Sequence, residues 1–176
     1  MAGTHSQQND STIPTQPALY TPLEHLQHIL RLIKILPSNT DEEQVSCLME
    51  TFELSEDIQY AALSYVWGDP NITEDVLVNG FTLSVTTNLA SALRNFRQYG
   101  FPENEESEKL EYLWVDAICI NQSDDAIPER NRRVAFMGQI YSTASSVLCW
   151  LGPPDSRRTG TALQIIRDYA SVVDGF

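Results

Sequence analysis

One carboxylate, Glu129, has the position and the neighbours of a group that could act in catalysis. It follows Pro128, a residue typical of the first helical turn, and it begins an apolar-periodic stretch at 129–144. The helix dipole favours the ionised form of a carboxylate placed there. A simpler alternative is that Glu129 pairs with Arg132 or Arg133, three and four residues later, and has no role in chemistry.

Further candidate site residues lie in or directly after three apolar runs, at 60–67, 112–120 and 146–152. Each run is typical of a strand buried on both faces. In open α/β sheets, ligands bind beyond the carboxyl ends of the strands. That rule nominates six residues: Trp67, Gly68, Asp69, Asp116, Asn121 and Gly152. The structural alternatives are that Trp67 packs into the core and that Asp116 caps the loop after it or pairs with an arginine.

The elements that must position these residues follow from periodicity and turn signals. Strands are predicted at 29–35 and 45–54, and Asn79-Gly80 predicts a hairpin over 75–85. A helix capped by Thr86 or Thr87 is predicted through 88–100 with Gly100 as its stop, and further helices are predicted at 21–30, 129–144 and 159–173. The alternation of strands and helices from residue 60 onward predicts an α/β fold. Its sheet is expected to be mostly parallel, flanked by helices, with an added β-hairpin and N-terminal strands.

Composition excludes several classes of function. The 176 residues include 11 Lys and Arg against 24 Asp and Glu, a net charge of −13, which disfavours binding to nucleic acid or to an anionic membrane surface. There is no apolar run of spanning length and no signal peptide, so a cytoplasmic protein is expected. The polar residues 1–18 are expected to be a flexible leader and 19–176 a single domain, from a chain that is plausibly part of a longer protein.

Histidine and cysteine usage argues against a metal or a catalytic triad. The three histidines all precede residue 30, and the three cysteines have no ligand spacing, so no metal is expected. All three cysteines are instead expected to be buried as small apolar residues. The Gly-rich loops of nucleotide-binding motifs and the HExxH zinc motif do not occur in the sequence.

Several segments resemble the fungal heterokaryon-incompatibility (HET) domain, in order and with similar spacing, from about residue 30 to 152. They are LIKILP (32–37), YAALSYVWGDP (60–70), LVNGFTLSVTTNLASAL (77–93), YLWVDAICINQ (112–122) and ERNRRVAFMGQIYSTASSVLCWLG (129–152). YVWGD and LWVDAICINQ are the most specific of these. The resemblance implies a role in fungal non-self recognition and regulated cell death.

HET domains are in turn similar to TIR domains, several of which cleave NAD, and this similarity implies a TIR-like, flavodoxin-like core. Glu129 matches the position of the TIR catalytic glutamate, which implies cleavage of the nicotinamide–ribose bond with NAD as substrate and with no added cofactor. The implied ligand site contains a stacking face, the strand-end polar residues and arginines for the pyrophosphate: Tyr65, Trp67, Gly68, Asp69, Asp116, Asn121, Arg130, Arg132 and Arg133. A single carboxylate suffices chemically, because nicotinamide leaves as a neutral group and the carboxylate stabilises an oxocarbenium-like transition state.

Two alternatives stay open beside the enzyme. The domain can be a signalling module that works by self-association or partner binding, or an enzyme that becomes active only as a homo-oligomer. Convergence of Glu129, Trp67, Asp69 and Asp116 on one open crevice would favour the enzyme, whereas a Glu129 locked to Arg133 on the surface would favour the binding module.

Overall fold

The computed structural model describes residues 19–23, 28–40, 43–55, 57–101 and 110–153. In these residues seven strands form one sheet that is flanked by helices, so the α/β class is confirmed. The strands are β1 (Ile29–Ile35), β2 (Ser46–Glu53), β3 (Tyr60–Tyr65), β4 (Thr73–Val78), β5 (Phe81–Thr86), β6 (Tyr112–Trp114) and β7 (Ser146–Trp150). The helices are α1 (Thr87–Tyr99), the four-residue α2 (Asp116–Cys119) and α3 (Ile127–Thr143), the last preceded by a 3₁₀ turn at Asp124–Ala126.

The sheet is mixed, and the expectation of a mostly parallel sheet is wrong for the described residues. The strand order is β5-β4-β2-β1-β6-β3-β7, with three parallel and three antiparallel pairings. The N-terminal strand β1 is not an addition at the margin, because it lies between β2 and β6 and runs antiparallel to both. Leu30, Leu32 and Ile33 are buried at this central position, and burial of these apolar side chains is the physical reason why the strand lies there.

Several local predictions are confirmed. Strand β1 has the predicted bounds, and β4 and β5 form the predicted hairpin. Asn79 and Gly80 both have positive φ, at 52° and 81°, as a two-residue turn of this type requires. The Asn79 side chain also bonds the backbone of Met49 in β2, donating to its carbonyl at 2.9 Å and accepting from its N–H at 2.8 Å, so the turn is tied to the neighbouring strand.

The apolar run at 112–120 is not one strand, and this expectation is corrected. Only Tyr112–Trp114 is a strand, and the chain then turns into α2, whose last residue Cys119 donates its N–H to the Val115 carbonyl at 2.8 Å. Apart from Asp116 the run is apolar, because Ile118 and Cys119 of α2 are buried as well, and a short apolar run does not distinguish strand from helix. Similarly, β3 ends at Tyr65, so Trp67 lies beyond the strand.

The helices α1 and α3 pack on opposite faces of the sheet. On one face, Trp150 of β7 contacts Phe96 of α1 with ring centroids 6.2 Å apart. On the other face, Tyr60 of β3 donates its hydroxyl to the Ile140 carbonyl of α3 at 2.5 Å, and Trp114 packs against Tyr141. The core of the domain therefore lies in two layers, one on each side of the sheet.

Some predictions fall wholly or partly outside the described residues. These are the leader at 1–18, the helix at 159–173, and residues 24–27 of the helix at 21–30. The described part of that last prediction is wrong, because residues 21–23 are not helical and the last two residues of the segment belong to β1. Among the helices that the structure describes, none is long and apolar enough to cross a membrane.

Candidate functional site

Asp116 organises the residues at the carboxyl ends of β3 and β6. Its Oδ2 accepts a hydrogen bond from Trp67 Nε1 at 3.0 Å, and its Oδ1 accepts from the Ala117 N–H at 2.7 Å. The hydroxyl of Tyr65 also interacts with this carboxylate. Burial, followed by the charge and hydrogen bond of Asp116, raises the pKa of Tyr65 far above its usual value. Tyr65 therefore remains a neutral hydrogen-bond donor at physiological pH.

Asn88, in the first turn of α1, connects this cluster to the neighbouring strand. Its Nδ2 donates to the Val66 carbonyl at 2.5 Å, and its Oδ1 accepts from Trp150 Nε1 at 3.0 Å. Gly68 has φ of +81°, and a Cβ at this position would lie 3.7 Å from the Asn88 Cβ. The backbone conformation, rather than the available space, is what favours glycine at 68.

The same strand ends expose large apolar side chains. Val66 is 74% exposed, Trp67 47% and Ile72 56%. Ile72 is held near the start of α1 because its carbonyl accepts the Thr87 N–H at 3.1 Å. We call Val66, Trp67 and Ile72 the edge surface. Large exposed apolar side chains that group on one surface are typical of binding sites.

Glu129 lies in the first helical turn of α3, as predicted, but it is buried, with 3% of its surface exposed. Its Oε1 accepts a hydrogen bond from Arg31 Nη1 at 2.7 Å, and its Oε2 accepts from the Leu23 N–H at 3.0 Å. Both carboxylate oxygens are therefore occupied. Glu129 is therefore bonded to Arg31 of β1 and buried, and the predicted alternative, a Glu129 locked to Arg133 on the surface, is not what the structure shows.

Arg31 is the centre of a buried network that joins four parts of the chain. Beyond Glu129, its guanidinium donates to the Cys119 carbonyl of α2 at 3.3 Å and to the Thr21 carbonyl at 2.6 Å. It also lies 5.1 Å from the centroid of the Tyr20 ring, in a cation–π arrangement. The segment 19–23 thus covers Glu129 and is fastened to the domain through Arg31.

Arg133 completes this network at the next turn of α3. It donates to the carbonyls of Ile29, at the start of β1, and of Leu23, the latter at 3.4 Å. Burial by itself raises the pKa of Glu129, but the bonds from Arg31 and Leu23 and the charges of Arg31 and Arg133 outweigh it, so the pKa lies below its usual value. Glu129 is therefore ionised at physiological pH and is surrounded by donors.

The structure brings some of the predicted site residues together and separates others. Tyr65, Trp67, Gly68 and Asp116 lie in one cluster, whereas Glu129 and Arg133 lie in the buried network. The rest make local bonds: Asp69 accepts from Asn71, Asn121 accepts from Ser123, and Arg130 donates to the Gln122 carbonyl. Asn121 also borders a shallow depression of about 390 Å³ together with Tyr20 and Leu83. In the residues that the structure describes, no group of three or more acidic, histidine or cysteine side chains could hold a metal ion.

The sequence-based prediction missed two residues that hold these clusters in place. Arg31 is a charged residue between apolar neighbours in β1, and such a residue requires a partner when it is buried, so its presence was a usable signal. Asn88 had no comparable signal, because a polar residue in a first helical turn is common and its contacts come from distant strands.

Comparisons with known proteins identify the family. The family model of the heterokaryon incompatibility protein (HET) matches residues 60–173, more than half of the chain. The chain belongs to the HET family. It is also 35% identical over 156 residues to heterokaryon incompatibility protein 6 (OR allele) of Neurospora crassa, a match that covers 83% of this chain and 22% of that protein. The chain thus spans less than a quarter of the length of this relative. No solved structure matches it significantly.

The region that matches the HET model contains the Asp116 cluster and Glu129, but it begins after β1 and so leaves out Arg31. Glu129 of this HET domain is therefore held by a residue that precedes the matched region. The strand that carries Arg31 lies at the centre of the same sheet, so the structural domain begins before residue 60.

We expect Asp116→Ala in the HET domain to lower the free energy of unfolding by about 1–3 kcal/mol, because Trp67 Nε1, the Tyr65 hydroxyl and the Ala117 N–H lose their common acceptor. Urea denaturation measures this loss. The matched control is Asp69→Ala, since the Asp69 carboxylate bonds only within an exposed turn as far as the described contacts show; it is expected to cost under about 0.5 kcal/mol. Equal effects of the two substitutions would contradict the central position of Asp116.

Proposed function

We propose that this chain is the effector domain of a fungal heterokaryon-incompatibility protein and that it promotes cell death through binding contacts. The observation that carries the proposal is the contrast between Glu129, 3% exposed with both oxygens occupied, and the edge surface, whose residues are 47–74% exposed. A buried carboxylate held by an arginine has a structural role in this conformation. The exposed apolar side chains are the part of the domain that is available to a partner or to a second copy.

The name of the Neurospora relative supports the biological part of this proposal, since that protein is a heterokaryon incompatibility protein. A binding function also agrees with the construction of the edge surface. Trp67 is fixed by its bond to Asp116, and Val66 by the bond of its carbonyl to Asn88, so the exposed side chains are preorganised. Preorganisation lowers the entropic cost of binding, and tryptophan is among the residues that contribute most at interfaces.

The test is to express the chain in a fungal cell and to measure cell death and cellular NAD together. We expect Trp67→Ser and Val66→Ser to abolish cell death without changing NAD levels, because each removes an exposed apolar contact. Leu48→Ser is the matched control, since Leu48 is 43% exposed on β2, away from the strand ends that form the edge surface. Cell death that persists in both edge variants, at equal protein levels, would refute a binding role for this surface.

A second candidate is the NAD-cleaving enzyme that the resemblance to TIR domains implies. One observation favours it: Glu129 is ionised and lies beside Arg31 and Arg133, a carboxylate and two cations suited to a ribose and a pyrophosphate. NAD would reach this carboxylate only after segment 19–23 withdraws, because Leu23 occupies Oε2. Oligomerisation is one event that could cause the withdrawal, and it would produce an active homo-oligomer.

The assay that separates the two candidates is nicotinamide release from NAD by the purified chain, at low and at high protein concentration. Release that is abolished by Glu129→Gln, with circular dichroism unchanged, would establish the enzyme and refute a purely binding function. Release that survives Glu129→Gln would keep the enzyme but assign its catalytic group elsewhere. The binding proposal predicts no release at either concentration.

A further inference from the structure

A depression of about 390 Å³ lies between three separate parts of the chain. Its described lining residues come from segment 19–23, from β5, and from residues 121–125, which connect α2 to α3. They are Leu19, Tyr20, Leu83, Asn121, Gln122, Ser123 and Asp125. The volume falls within the range of about 300–1,000 Å³ that is typical of small-molecule sites. The residues of the edge surface do not line this depression, so it is a separate candidate site.

One wall of the depression is apolar and held in place. Leu83 lies in β5 of the hairpin. Tyr20 donates its hydroxyl to the Ile118 carbonyl of α2 at 2.9 Å, and the Arg31 guanidinium lies over its ring. Leu19, Tyr20 and Leu83 are all half-buried, so part of each side chain remains accessible. Together they form a wall that suits a flat aromatic body.

The rest of the lining is polar, and two of its groups are available to a ligand. Ser123 donates its N–H and its hydroxyl to Asn121 Oδ1, at 3.1 and 2.8 Å, so the Nδ2 of Asn121 is turned away from Ser123. In the part of the chain that the structure describes, neither this Nδ2 nor the Asp125 carboxylate has a hydrogen-bond partner. Asn121 therefore supplies a donor and Asp125 a charged acceptor.

The loop that carries these groups is fixed by its own hydrogen bonds. Gln122 Nε2 donates to the first carbonyl of α2 at 3.2 Å, and the Gln122 carbonyl accepts from Arg130 Nη1 at 3.3 Å. The Ala126 N–H donates to the Ser123 carbonyl at 3.1 Å, which closes the turn that contains Asp125. The loop therefore needs little rearrangement before a ligand binds, and the entropic cost of binding is lower.

The charges around the depression favour a cation. Asp125 is the one charged residue among the described lining residues, and Asp124 is its neighbour in sequence. The nearby Arg31 is already paired with Glu129, and Arg130 bonds the backbone of the loop. The whole chain has a net charge of −13, so the wider electrostatic field also attracts cations.

The end of the sheet at β7 also exposes apolar side chains. Val147 is 47% exposed, and Leu151, just beyond the strand, is 71% exposed. Cys149 is exposed as well, so the expectation that all three cysteines are buried is wrong for Cys149, whereas Cys47 and Cys119 are buried as predicted. These side chains are apolar or weakly polar. The depression differs because it combines an apolar wall with a charged acceptor, and such polar groups fix the orientation of a small ligand.

We propose that the depression binds a small aromatic cation. The ring lies against Leu19, Tyr20 and Leu83, and the positively charged nitrogen group lies at the Asp125 carboxylate. The Asn121 amide is available to an acceptor atom of the ligand.

Binding at this site is coupled to the covering of Glu129. Leu19 and Tyr20 belong to segment 19–23, whose Leu23 N–H bonds Glu129 Oε2 at 3.0 Å. A ligand that uses this segment as a wall binds only while the segment is in place, so it stabilises the covered conformation. The ligand therefore opposes the withdrawal that would expose the Glu129 carboxylate.

The test compares three probes that share one ring and differ in charge: benzamidine, a cation; benzamide, which is neutral; and benzoate, an anion. Binding to the full chain is followed by amide chemical shifts of the isotope-labelled protein. We expect benzamidine to bind with a Kd of about 1 mM or tighter and to shift the amides of Leu83 and Ser123. Benzamide should bind more weakly, and benzoate at least about tenfold more weakly than benzamidine.

Variants locate the site. Asp125→Asn should weaken benzamidine binding to the level of benzamide. The matched control is Asp124→Asn, which removes the same charge beside the depression but not from its lining; it should change the Kd by less than about twofold. Leu83→Ser should weaken all three probes alike, and Leu19→Ser replaces it as the test of the apolar wall if Leu83→Ser unfolds the hairpin.

Hydrogen exchange of the Leu23 amide measures the coupling to segment 19–23. It should slow by about tenfold at a benzamidine concentration of about ten times the Kd. Equal affinity for the three probes, no binding of any probe, or benzamidine binding unchanged by Asp125→Asn would each overturn the site. An unchanged exchange rate of Leu23 at saturating benzamidine would overturn the coupling, and with it the wall assigned to Leu19 and Tyr20.

Discussion

Replacing Arg31 with alanine is expected to lower the free energy of unfolding by about 3–5 kcal/mol, because it leaves the buried Glu129 carboxylate without its charged partner. The side chains of the pair are 2% and 4% exposed. Arg31 also donates to the carbonyls of Cys119 and Thr21, so its removal detaches segment 19–23 as well. Urea or thermal denaturation at neutral pH measures the loss.

Two further variants show whether the burial of the Arg31–Glu129 pair is the cause of this loss of stability. Lys34→Ala removes the corresponding cation of the Lys34–Glu111 pair, whose side chains are 37% and 54% exposed; such a surface pair contributes up to about 1 kcal/mol. The double variant Arg31→Met with Glu129→Met is expected to be more stable than Arg31→Ala, because no buried charge is left without a partner. A cost of Arg31→Ala as small as that of Lys34→Ala would contradict the structural role assigned to Glu129.

The domain is also expected to lose stability steeply as the pH rises from about 9 to 12. Burial raises the pKa of the Cys47 and Cys119 thiols to about 12, from an ordinary value of 9.0, and that of the Tyr60 hydroxyl to about 12, from 10.0. These groups stay neutral when folded but ionise once the chain unfolds. The stability that they contribute is therefore complete below their unfolded pKa and is lost as the pH rises toward the folded pKa.

The loss amounts to about 1.4 kcal/mol per group for each pH unit within this range. Denaturation curves at a series of pH values, with tyrosine ionisation followed by ultraviolet absorbance, measure it. Cys119→Ala should flatten the alkaline slope, whatever it costs at neutral pH. If Cys119→Ala left the dependence of stability on alkaline pH unchanged, the Cys119 thiol would not be one of the groups that cause the loss of stability.

Much of the local structure was predictable because it depends on short-range patterns. The hairpin follows from Asn79-Gly80, since both residues accept positive φ, and α3 follows from its apolar periodicity and from Pro128 in its first turn. Prediction failed where one pattern is compatible with two structures. The run at 112–120 is apolar because both β6 and α2 are buried, so composition did not reveal that the strand ends at Trp114.

The sequence by itself determined the family, the α/β class, and Trp67 and Asp116 as candidate residues at strand ends, because these depend on motifs and on the rule that ligands bind beyond the carboxyl ends of the strands. Only the tertiary structure decided which residue pairs with Glu129. Its partner Arg31 is 98 residues away and lies on a strand whose central position depends on long-range pairing with β2 and β6. Spacing along the chain favoured Arg132 or Arg133 as the partner of Glu129, because residues three and four apart in sequence are neighbours on a helix. A contact between a helix and a strand is known only once the sheet is assembled, and that contact buries the Glu129 carboxylate of this HET domain against Arg31.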